Sequence, residues 1–362
     1  MSEIALTGAQ PISVMVVDDS AIVRGLITRT LNADPRIEVV ASCSNGEMAV
    51  VQAGKRVLDV IILDIEMPVM DGLTALPKLQ RVNPGARIVM ASTLTQRNAA
   101  ISLRAMALGA ADYIAKPTTD RLNANETFHR DLIQKVIALG QTKRPMRAPD
   151  ASSRPPVPSP VITRGGMMRQ PRIIAIGSST GGPQALLTLL GSLSPSVTCP
   201  IVIAQHMPAT FTTVLAQHIE RASGRPCTEA ANGMEIKPGR IYLAPGDYHF
   251  EIVRAGAGFA AKLSQTPAQN FCRPSVDPLF HSVAQLFGAE SCAVMLTGMG
   301  ADGCGGAKAI AATGAPVIAQ DEATSVVWGM PGAVAQAGIC SAILPLPKIA
   351  GHLVSLFEKV AA

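Results

Sequence analysis

Aromatic residues are scarce in this sequence, at 3% of 362 residues, so its cores must be built from aliphatic side chains. Such cores suit parallel sheets that are covered by helices on both faces. Hydrophobic residues make up 48% and charged residues only 16%, which excludes the disordered class of protein. No apolar run approaches the ~20 residues of a transmembrane helix, and no signal peptide is recognisable. We therefore expect a cytoplasmic protein that does not insert into a membrane.

The sequence also lacks closely spaced pairs of cysteines. The seven cysteines are odd in number and widely spaced, and none belongs to a Cys-x-x-Cys pair. This pattern argues against a disulfide framework and against a zinc site. It favours reduced thiols in a cytosolic protein.

The net charge of +5 is concentrated in one segment. Between Gln141 and Arg172, seven basic residues accompany a single acid, Asp150, so this segment carries the whole excess. It contains no aromatic residue that could stack on a base, which argues against a nucleic-acid partner. Six prolines within residues 141–170 keep the chain extended, and we predict a solvated linker there. The linker separates two predicted domains, residues 1–140 and 171–362.

In the first domain, short aliphatic runs alternate with segments of helical periodicity. The predicted strands are Ile12–Val17, Ile37–Ala41, Val60–Leu63, Ile88–Ala91 and Tyr113–Ala115. The predicted helices are Ala21–Leu31, Gly46–Ala53, Gly72–Val82, Gln96–Leu108 and Glu126–Leu139. Five such units indicate an α/β fold with a doubly wound parallel sheet.

The second domain shows the same alternation, which predicts a Rossmann-like α/β fold. Its predicted strands are Arg172–Ile176, Pro200–Ala204, Ile241–Leu243, Ala293–Leu296 and Val317–Gln320. Its predicted helices are Pro183–Leu190, Phe211–Arg221, Pro278–Phe287 and Gly303–Ala312. An inserted antiparallel hairpin is predicted from His249–Val253 and Ala260–Leu263.

Three carboxylates follow predicted strands of the first domain. Asp18 and Asp19 come after the first strand, and Asp64 ends the third. Adjacent acids after a strand also suit a helix cap. Parallel strands end at one edge of a sheet, however, so we expect the three acids to converge and to bind Mg²⁺. Ser92 and Lys116, after the fourth and fifth strands, would add a hydroxyl and an ammonium group.

The segments "VVDDSAIVR", "DVIILDIEMPVMDG", "MASTL" and "AKP" resemble the receiver domain of bacterial response regulators. The resemblance implies that Asp64 accepts a phosphoryl group. It also implies that Asp18 and Asp19, with Asp64, hold the Mg²⁺ ion, and that Ser92 and Lys116 sense the phosphoryl group.

A glycine-rich turn, Gly177–Gly182, follows the first strand of the second domain and fits the pattern G-x-S-x-G. Such a turn exposes its central serine, here Ser179, beside a helix N-terminus that can stabilise an oxyanion. The turn fits neither the dinucleotide pattern G-x-G-x-x-G nor a Walker loop. Taken alone, it leaves a hydrolase and a phosphate-binding loop as alternatives.

A nucleophilic serine needs a base and an orienting acid. His206 follows a predicted strand at the same sheet edge and is the first candidate for the base, with His249 second. Asp302, in another strand-to-helix turn, is the first candidate for the acid, although aspartate also suits a helix cap. Asp277 and Asp247 are weaker alternatives.

The segments "AIGSSTGGPQAL", "VIAQHMP", "YLAPGDYHF", "RPSVDPLFHSVA", "LTGMGADG" and "VWGMP" resemble the catalytic domain of chemotaxis protein-glutamate methylesterases. The resemblance implies Ser179 as nucleophile, His206 as base and Asp302 as orienting acid. It further implies that the Met299 amide serves the oxyanion hole and that Thr180 and Arg273 line the site. The ester chemistry would need no cofactor.

The two resemblances together imply a phosphorylation-activated serine hydrolase in sensory adaptation. Its substrates would be glutamate methyl esters, and certain glutamines, of methyl-accepting chemotaxis receptors. A chemotaxis histidine kinase would donate the phosphoryl group to a receiver that otherwise inhibits the esterase. Two alternatives remain: a response regulator whose second domain only binds a partner, and a nucleotide-dependent enzyme that uses the Gly177–Gly182 turn.

Overall fold

The computed structural model describes residues 10–93, 95–116, 122–141 and 169–358 of the chain. Residues 142–168 of the predicted linker lie outside the described residues. In the part that is described, no helix is both long enough and apolar enough to cross a bilayer.

The first domain is built on a five-stranded parallel sheet with the strand order β2-β1-β3-β4-β5. The strands are β1 (Ile12–Val17), β2 (Ile37–Cys43), β3 (Val60–Asp64), β4 (Arg87–Ser92) and β5 (Asp112–Ala115). The helices are α1 (Ala21–Asn32), α2 (Gly46–Ala53), α3 (Gly72–Val82), α4 (Gln96–Ala107) and α5 (Leu122–Gln141). This confirms the predicted doubly wound sheet.

Local sequence explains where these elements begin. Every residue of β3 is buried, as expected for a central strand of a parallel sheet with both faces covered. Three helices begin with capping side chains, because Ser20, Asn45 and Asp71 accept hydrogen bonds from main-chain N–H groups of the first turn.

The second domain has a seven-stranded parallel sheet with the order β14-β13-β12-β6-β7-β9-β8. Its strands are β6 (Ile173–Ser178), β7 (Ile201–Gln205), β8 (Cys227–Glu229), β9 (Ile241–Leu243), β12 (Ser291–Met295), β13 (Val317–Gln320) and β14 (Ala342–Leu344). Strands β10 (His249–Ala255) and β11 (Gly258–Ser264) pair antiparallel as a separate sheet. The predicted α/β fold with an inserted hairpin is confirmed.

Helices cover this sheet and connect its strands. They are α6 (Gly182–Gly191), α7 (Ala209–Ser223), α8 (Val276–Phe287), α9 (Cys304–Ala312), α10 (Met330–Gln336) and α11 (Leu346–Glu358). Strands β8 and β14 and helices α10 and α11 were absent from the sequence prediction. Both missed strands have only three residues and lie at the edges of the sheet, where a hydrophobic run is too short to detect.

In the sheet of the second domain, the order in which successive strands are added reverses between the neighbouring strands β6 and β12. From β6 the chain proceeds to one side through β7, and after α8 it returns to the other side through β12 and β13. Such a switch point opens a crevice at the carboxyl ends of the strands. The segments that follow β6 and β12 are joined there, because Ser179 N donates to Thr297 O at 3.0 Å.

Gly72 provides a test of packing in the first domain. A Cβ atom at this position would lie 2.0 Å from the main-chain oxygen of Asp64, so Gly72→Ala must displace the end of β3. We expect the substitution to lower the free energy of unfolding of this domain by about 1–3 kcal/mol, measured by urea denaturation.

Gly25→Ala is the matched control, because a Cβ at this position in α1 meets no atom within 4 Å. We expect it to raise the stability slightly through helix propensity. Equal stabilities of the two variants would contradict the close approach at Gly72.

Candidate active site

The three predicted carboxylates of the first domain lie together. Asp18 and Asp64 are buried and Asp19 is exposed, and one ligand atom from each falls within 4.8 Å of the others. Asp18 and Asp19 follow β1 and Asp64 ends β3, and these strands are neighbours in the sheet. An all-oxygen donor set with two buried members fits a magnesium ion.

Lys116 joins two of these carboxylates. Its Nζ lies 2.7 Å from Asp18 Oδ2 and 2.6 Å from Asp64 Oδ1. Burial raises the pKa of the Asp64 carboxyl to about 6; Lys116 opposes the shift and Asp18 adds to it. The ammonium group therefore holds mutually repelling acids close together.

Ser92 lies on the neighbouring strand end. It is the last residue of β4 and is buried, and its main-chain oxygen accepts a hydrogen bond from Lys116 N at 2.7 Å. The structure thus gathers all five predicted residues of the first site at one edge of the sheet.

Ser179 occupies the turn between β6 and α6. The turn needs glycine at position 181, where φ is +75° and a Cβ would lie 2.6 Å from Val326 Cβ. Gly182 N donates to Ser179 O at 2.7 Å, which closes the turn at the N-terminus of α6. The strand-to-helix turn predicted around this serine is present.

His206 and Asp302 form a direct contact. His206 follows the end of β7, and Asp302 lies in the segment between β12 and α9. His206 Nε2 lies 2.7 Å from Asp302 Oδ2. The predicted base and the predicted acid thus form the pair that nucleophilic catalysis requires.

The Asp302 carboxylate is buried and accepts further hydrogen bonds. Oδ1 accepts from Ser275 Oγ at 2.7 Å and from Asn270 Nδ2 at 2.8 Å, and Oδ2 accepts from Val276 N at 2.6 Å. Burial alone would raise the pKa of this carboxyl, but the contacts with His206, Ser275 and Val276 hold it well below its usual range. Aspartate at this position was also compatible with a helix cap. The Asp302 carboxylate does accept a hydrogen bond from the first residue of a helix, but this helix is α8 and not α9, which follows Asp302 in the chain.

The other ring nitrogen of His206 contacts a cysteine. His206 Nδ1 lies 3.3 Å from Cys272 Sγ, so both ring nitrogens are engaged by groups other than Ser179. Burial alone would lower the pKa of His206, but Asp302 and then Cys272 outweigh burial and raise this pKa well above its usual range. Both contacts favour the charged form of the imidazole, whereas a general base needs the neutral form.

The main-chain N–H groups of Thr180 and Met299 are suited to binding an oxyanion. Neither of them donates to a main-chain carbonyl of the described residues. Gly298 packs so closely that a Cβ there would lie 2.9 Å from Ser179 Cβ, which brings the segment that carries Met299 next to the serine. This geometry supports the predicted place of Met299.

The side chains of the weaker candidates have other partners. Both ring nitrogens of His249 are engaged, one near Pro267 O at 3.1 Å and the other as acceptor from Ser275 N at 3.3 Å. Asp277 accepts from Gly306 N at 2.7 Å, and Asp247 pairs with Arg273. These contacts favour His206 and Asp302 over the three alternatives.

Arg273 is held by groups outside the His206–Asp302 pair. Its Nε donates to Asp247 Oδ1 at 3.0 Å, and its Nη1 donates to the main-chain oxygens of Gln265 and Thr266, each at 3.1 Å. Its side chain is 27% exposed, and a direct contact with substrate stays a prediction.

Four residues around the catalytic pair were not identified from the sequence: Gln205, Asn270, Cys272 and Ser275. Ser275 follows Arg273 and Pro274 within "RPSVD", so that motif offered a signal for it. Asn270 and Phe271 have positive φ values of 51° and 63°, a region that asparagine tolerates but that is costly for a bulky residue such as phenylalanine. This strained backbone brings Asn270 to Asp302 and Cys272 to His206, an arrangement that no sequence pattern indicated.

Comparisons with known proteins agree with both halves of the chain. The family model described as CheB methylesterase matches residues 174–353, and the one described as response regulator receiver domain matches residues 14–125. A Paramagnetospirillum magneticum protein named protein-glutamate methylesterase/protein-glutamine glutaminase 1 is 52% identical over 96% of this chain and 97% of its own length. A Rhodospirillum rubrum protein of the same name is 53% identical over 96% of each chain.

The second domain is also similar to a solved structure. The crystal structure of the Thermotoga maritima CheB methylesterase catalytic domain is 39% identical, with a TM-score of 0.50. It covers 52% of this chain and 100% of its own.

The contact between Cys272 and His206 predicts a change in pH dependence. A general base must be unprotonated, so activity falls as the pH drops below the pKa of His206. Cys272→Ala removes one of the two groups that raise this pKa. The kcat/KM profile reports the pKa of the base in the free enzyme, so we expect the acidic limb of the kcat/KM profile for ester hydrolysis to move to lower pH.

Cys304→Ala is the matched control, since Cys304 is also a half-buried free cysteine but its Sγ contacts Ala333 O. We expect the acidic limb of this variant to coincide with that of the unmodified protein. An acidic limb of Cys272→Ala that stays in place or moves to higher pH would contradict the influence of Cys272 on the base.

Proposed function

The chain belongs to the CheB methylesterase family, and we propose that Ser179, His206 and Asp302 carry out the reaction of this family in it. The protein is a protein-glutamate methylesterase/protein-glutamine glutaminase with a response regulator receiver domain. The observation that carries the proposed site is the 2.7 Å contact between His206 and Asp302 beside the strand-to-helix turn of Ser179.

The first half-reaction forms an acyl-enzyme. Ser179 Oγ attacks the carbonyl carbon of the glutamyl ester while His206 Nδ1 takes the hydroxyl proton. The Thr180 and Met299 N–H groups donate to the oxyanion. Asp302 orients the ring through Nε2 and stabilises the imidazolium. His206 then returns the proton to the departing methanol.

The second half-reaction releases the product. Water attacks the acyl-enzyme with His206 as base, and Ser179 leaves with the proton, so that a glutamate side chain remains on the substrate. A glutamine side chain follows the same route with ammonia as the leaving group. Both activities named for the relatives therefore need only one site.

The receiver domain supplies the control in this proposal. Asp64 accepts a phosphoryl group from a phosphohistidine of a chemotaxis kinase, and this modification raises esterase activity. A Mg²⁺ ion held by Asp18, Asp19 and Asp64 would neutralise charge on the phosphoryl oxygens. Ser92 and Lys116 lie at the neighbouring strand ends and can bind the modified Asp64.

We further propose methyl-accepting chemotaxis receptors as the substrates and the cytoplasm as the place of reaction. The described cysteines are all free, which fits a reducing compartment. The proposed ester chemistry uses the side chains of Ser179, His206 and Asp302 together with main-chain N–H groups.

Ser179→Ala tests the nucleophile. Without the hydroxyl no acyl-enzyme forms, and we expect methanol release from methylated receptor membranes to fall by a factor on the order of 10⁶. Ser196→Ala, an exposed serine of the same domain, is expected to keep full activity. Retention of more than a few per cent of the activity by the folded Ser179→Ala protein would remove Ser179 from this role.

The receiver is tested by the same assay with a small-molecule phosphodonor and Mg²⁺. We expect the donor to raise methanol release from the full-length protein and to leave the Asp64→Asn variant at its resting rate. A fragment that begins at Pro171 should be active without the donor and insensitive to it. A fragment no faster than the resting full-length protein would contradict inhibition by the receiver.

A further inference from the structure

Gln205 is a buried polar residue that the mechanism above does not use. It is the last residue of β7 and is only 1% exposed, and its register partner on β6 is Ser178. The residue that follows it is His206, and the residue that follows its register partner is Ser179. Its side chain therefore lies where the strands that carry nucleophile and base end side by side.

The side-chain amide of Gln205 binds both of these strand ends. Oε1 accepts a hydrogen bond from Ser178 Oγ at 2.6 Å. Nε2 donates to Ser179 O at 2.9 Å and to His206 O at 3.1 Å. One amide nitrogen thus joins the main chain of the nucleophile to the main chain of the base.

Close packing holds the amide in this orientation. A Cβ atom at Gly182 would lie 2.0 Å from Gln205 Oε1 and 2.9 Å from Ser178 Cβ, so the first turn of α6 lies directly against the amide. A rotation of the amide by 180° would place its oxygen against two carbonyl oxygens, which repel it. The donors of Gln205 therefore point to Ser179 and His206 in one fixed arrangement.

The opposite side of Ser179 is held independently. Ser179 N donates to Thr297 O at 3.0 Å, and His206 N donates to Ser178 O at 3.1 Å. Ser179 O also accepts from Gly182 N at 2.7 Å within its own turn, but none of these bonds links the carbonyl groups of Ser179 and His206 to each other. Gln205 Nε2 is the donor that the two carbonyl groups share.

We propose that Gln205 is a positioning residue for ester and amide hydrolysis, which sets the place of Ser179 relative to His206 through their main-chain carbonyls. The inference rests on the proposed roles of Ser179 and His206. Small displacements between a nucleophile and its base are costly, and a misplacement of 1 Å can reduce a rate by about 100-fold. Gln205 is buried, and its side chain bonds Ser178 Oγ and the main-chain carbonyls of Ser179 and His206, so we expect its loss to act on kcat and to leave KM unchanged.

Two substitutions in the full-length protein test this role. Gln205→Met keeps the approximate size of the side chain and removes all three hydrogen bonds. Gln205→Glu keeps the shape but replaces the donor nitrogen with an oxygen, so that a carboxylate faces two carbonyl oxygens. A protonated carboxyl could restore one donor, and the kcat of this variant relative to the unmodified protein should recover as the pH falls.

The measurement is kcat and KM for methanol release, with the fold checked by circular dichroism at each pH. We expect kcat to fall by about 100-fold in Gln205→Met, and in Gln205→Glu at alkaline pH, with KM unchanged. A folded Gln205→Met protein with unchanged kcat would overturn the proposal. So would a Gln205→Glu protein with the kcat of the unmodified protein at alkaline pH, which keeps the test open if the methionine variant does not fold.

Tyr242→Phe controls for a general loss of stability. Tyr242 lies in β9 and is fully buried, and its hydroxyl accepts from Lys237 N at 2.8 Å and donates to Glu235 O at 3.0 Å. We expect this variant to melt at a lower temperature with kcat unchanged. An equal loss of kcat in Tyr242→Phe would mean that Gln205 acts only through stability.

Ser179→Ala, assayed in parallel, distinguishes a failure of the proposed nucleophile from a failure of the positioning role. Activity in Ser179→Ala would refute the proposed nucleophile. An inactive Ser179→Ala protein together with a fully active, folded Gln205→Met protein would refute the positioning role alone.

Discussion

The catalytic crevice depends on one buried charge, the carboxylate of Asp302. A carboxylate that is 3% exposed is tolerated only when hydrogen bonds and an opposite charge satisfy it. Its partners come from three separate parts of the chain: the end of β7, the turn at residues 269–272 and the first turn of α8. Each of these segments is therefore held against the turn after β12. The same bonds that keep the acid ionised also place the base.

The receiver domain also contains buried carboxylates, but a lysine stabilises them there. Within the described residues, the ammonium group of Lys116 bridges two carboxylates, those of Asp18 and Asp64. In both domains the functional side chains follow strands of a parallel sheet, where neighbouring strands end side by side. The two sites differ in what the electrostatics stabilise. The acids of the receiver site suit a metal ion, whereas in the second domain Asp302 stabilises the charged form of His206.

The sequence predicted the residues at strand ends and missed those in irregular segments. Asp64, Ser179 and Asp302 each follow an aliphatic run, so chain order alone placed them at the edge of a parallel sheet. Asn270 and Cys272 belong to a turn with positive φ values, and no periodic pattern marks such a turn. The ring orientation of His206 depends on these contacts, and so it too required the structure. The short edge strands β8 and β14 escaped prediction because three residues show no periodicity.

The contact between Gly182 and Gln205 has an evolutionary consequence. Because a Cβ at position 182 would collide with Gln205 Oε1, any larger residue there requires a shorter side chain at position 205. A shorter side chain would in turn leave the carbonyls of Ser179 and His206 without their shared donor. Given the role proposed for Gln205, a single substitution at either position is expected to disturb the alignment of Ser179 and His206. A compensated change would therefore involve both positions.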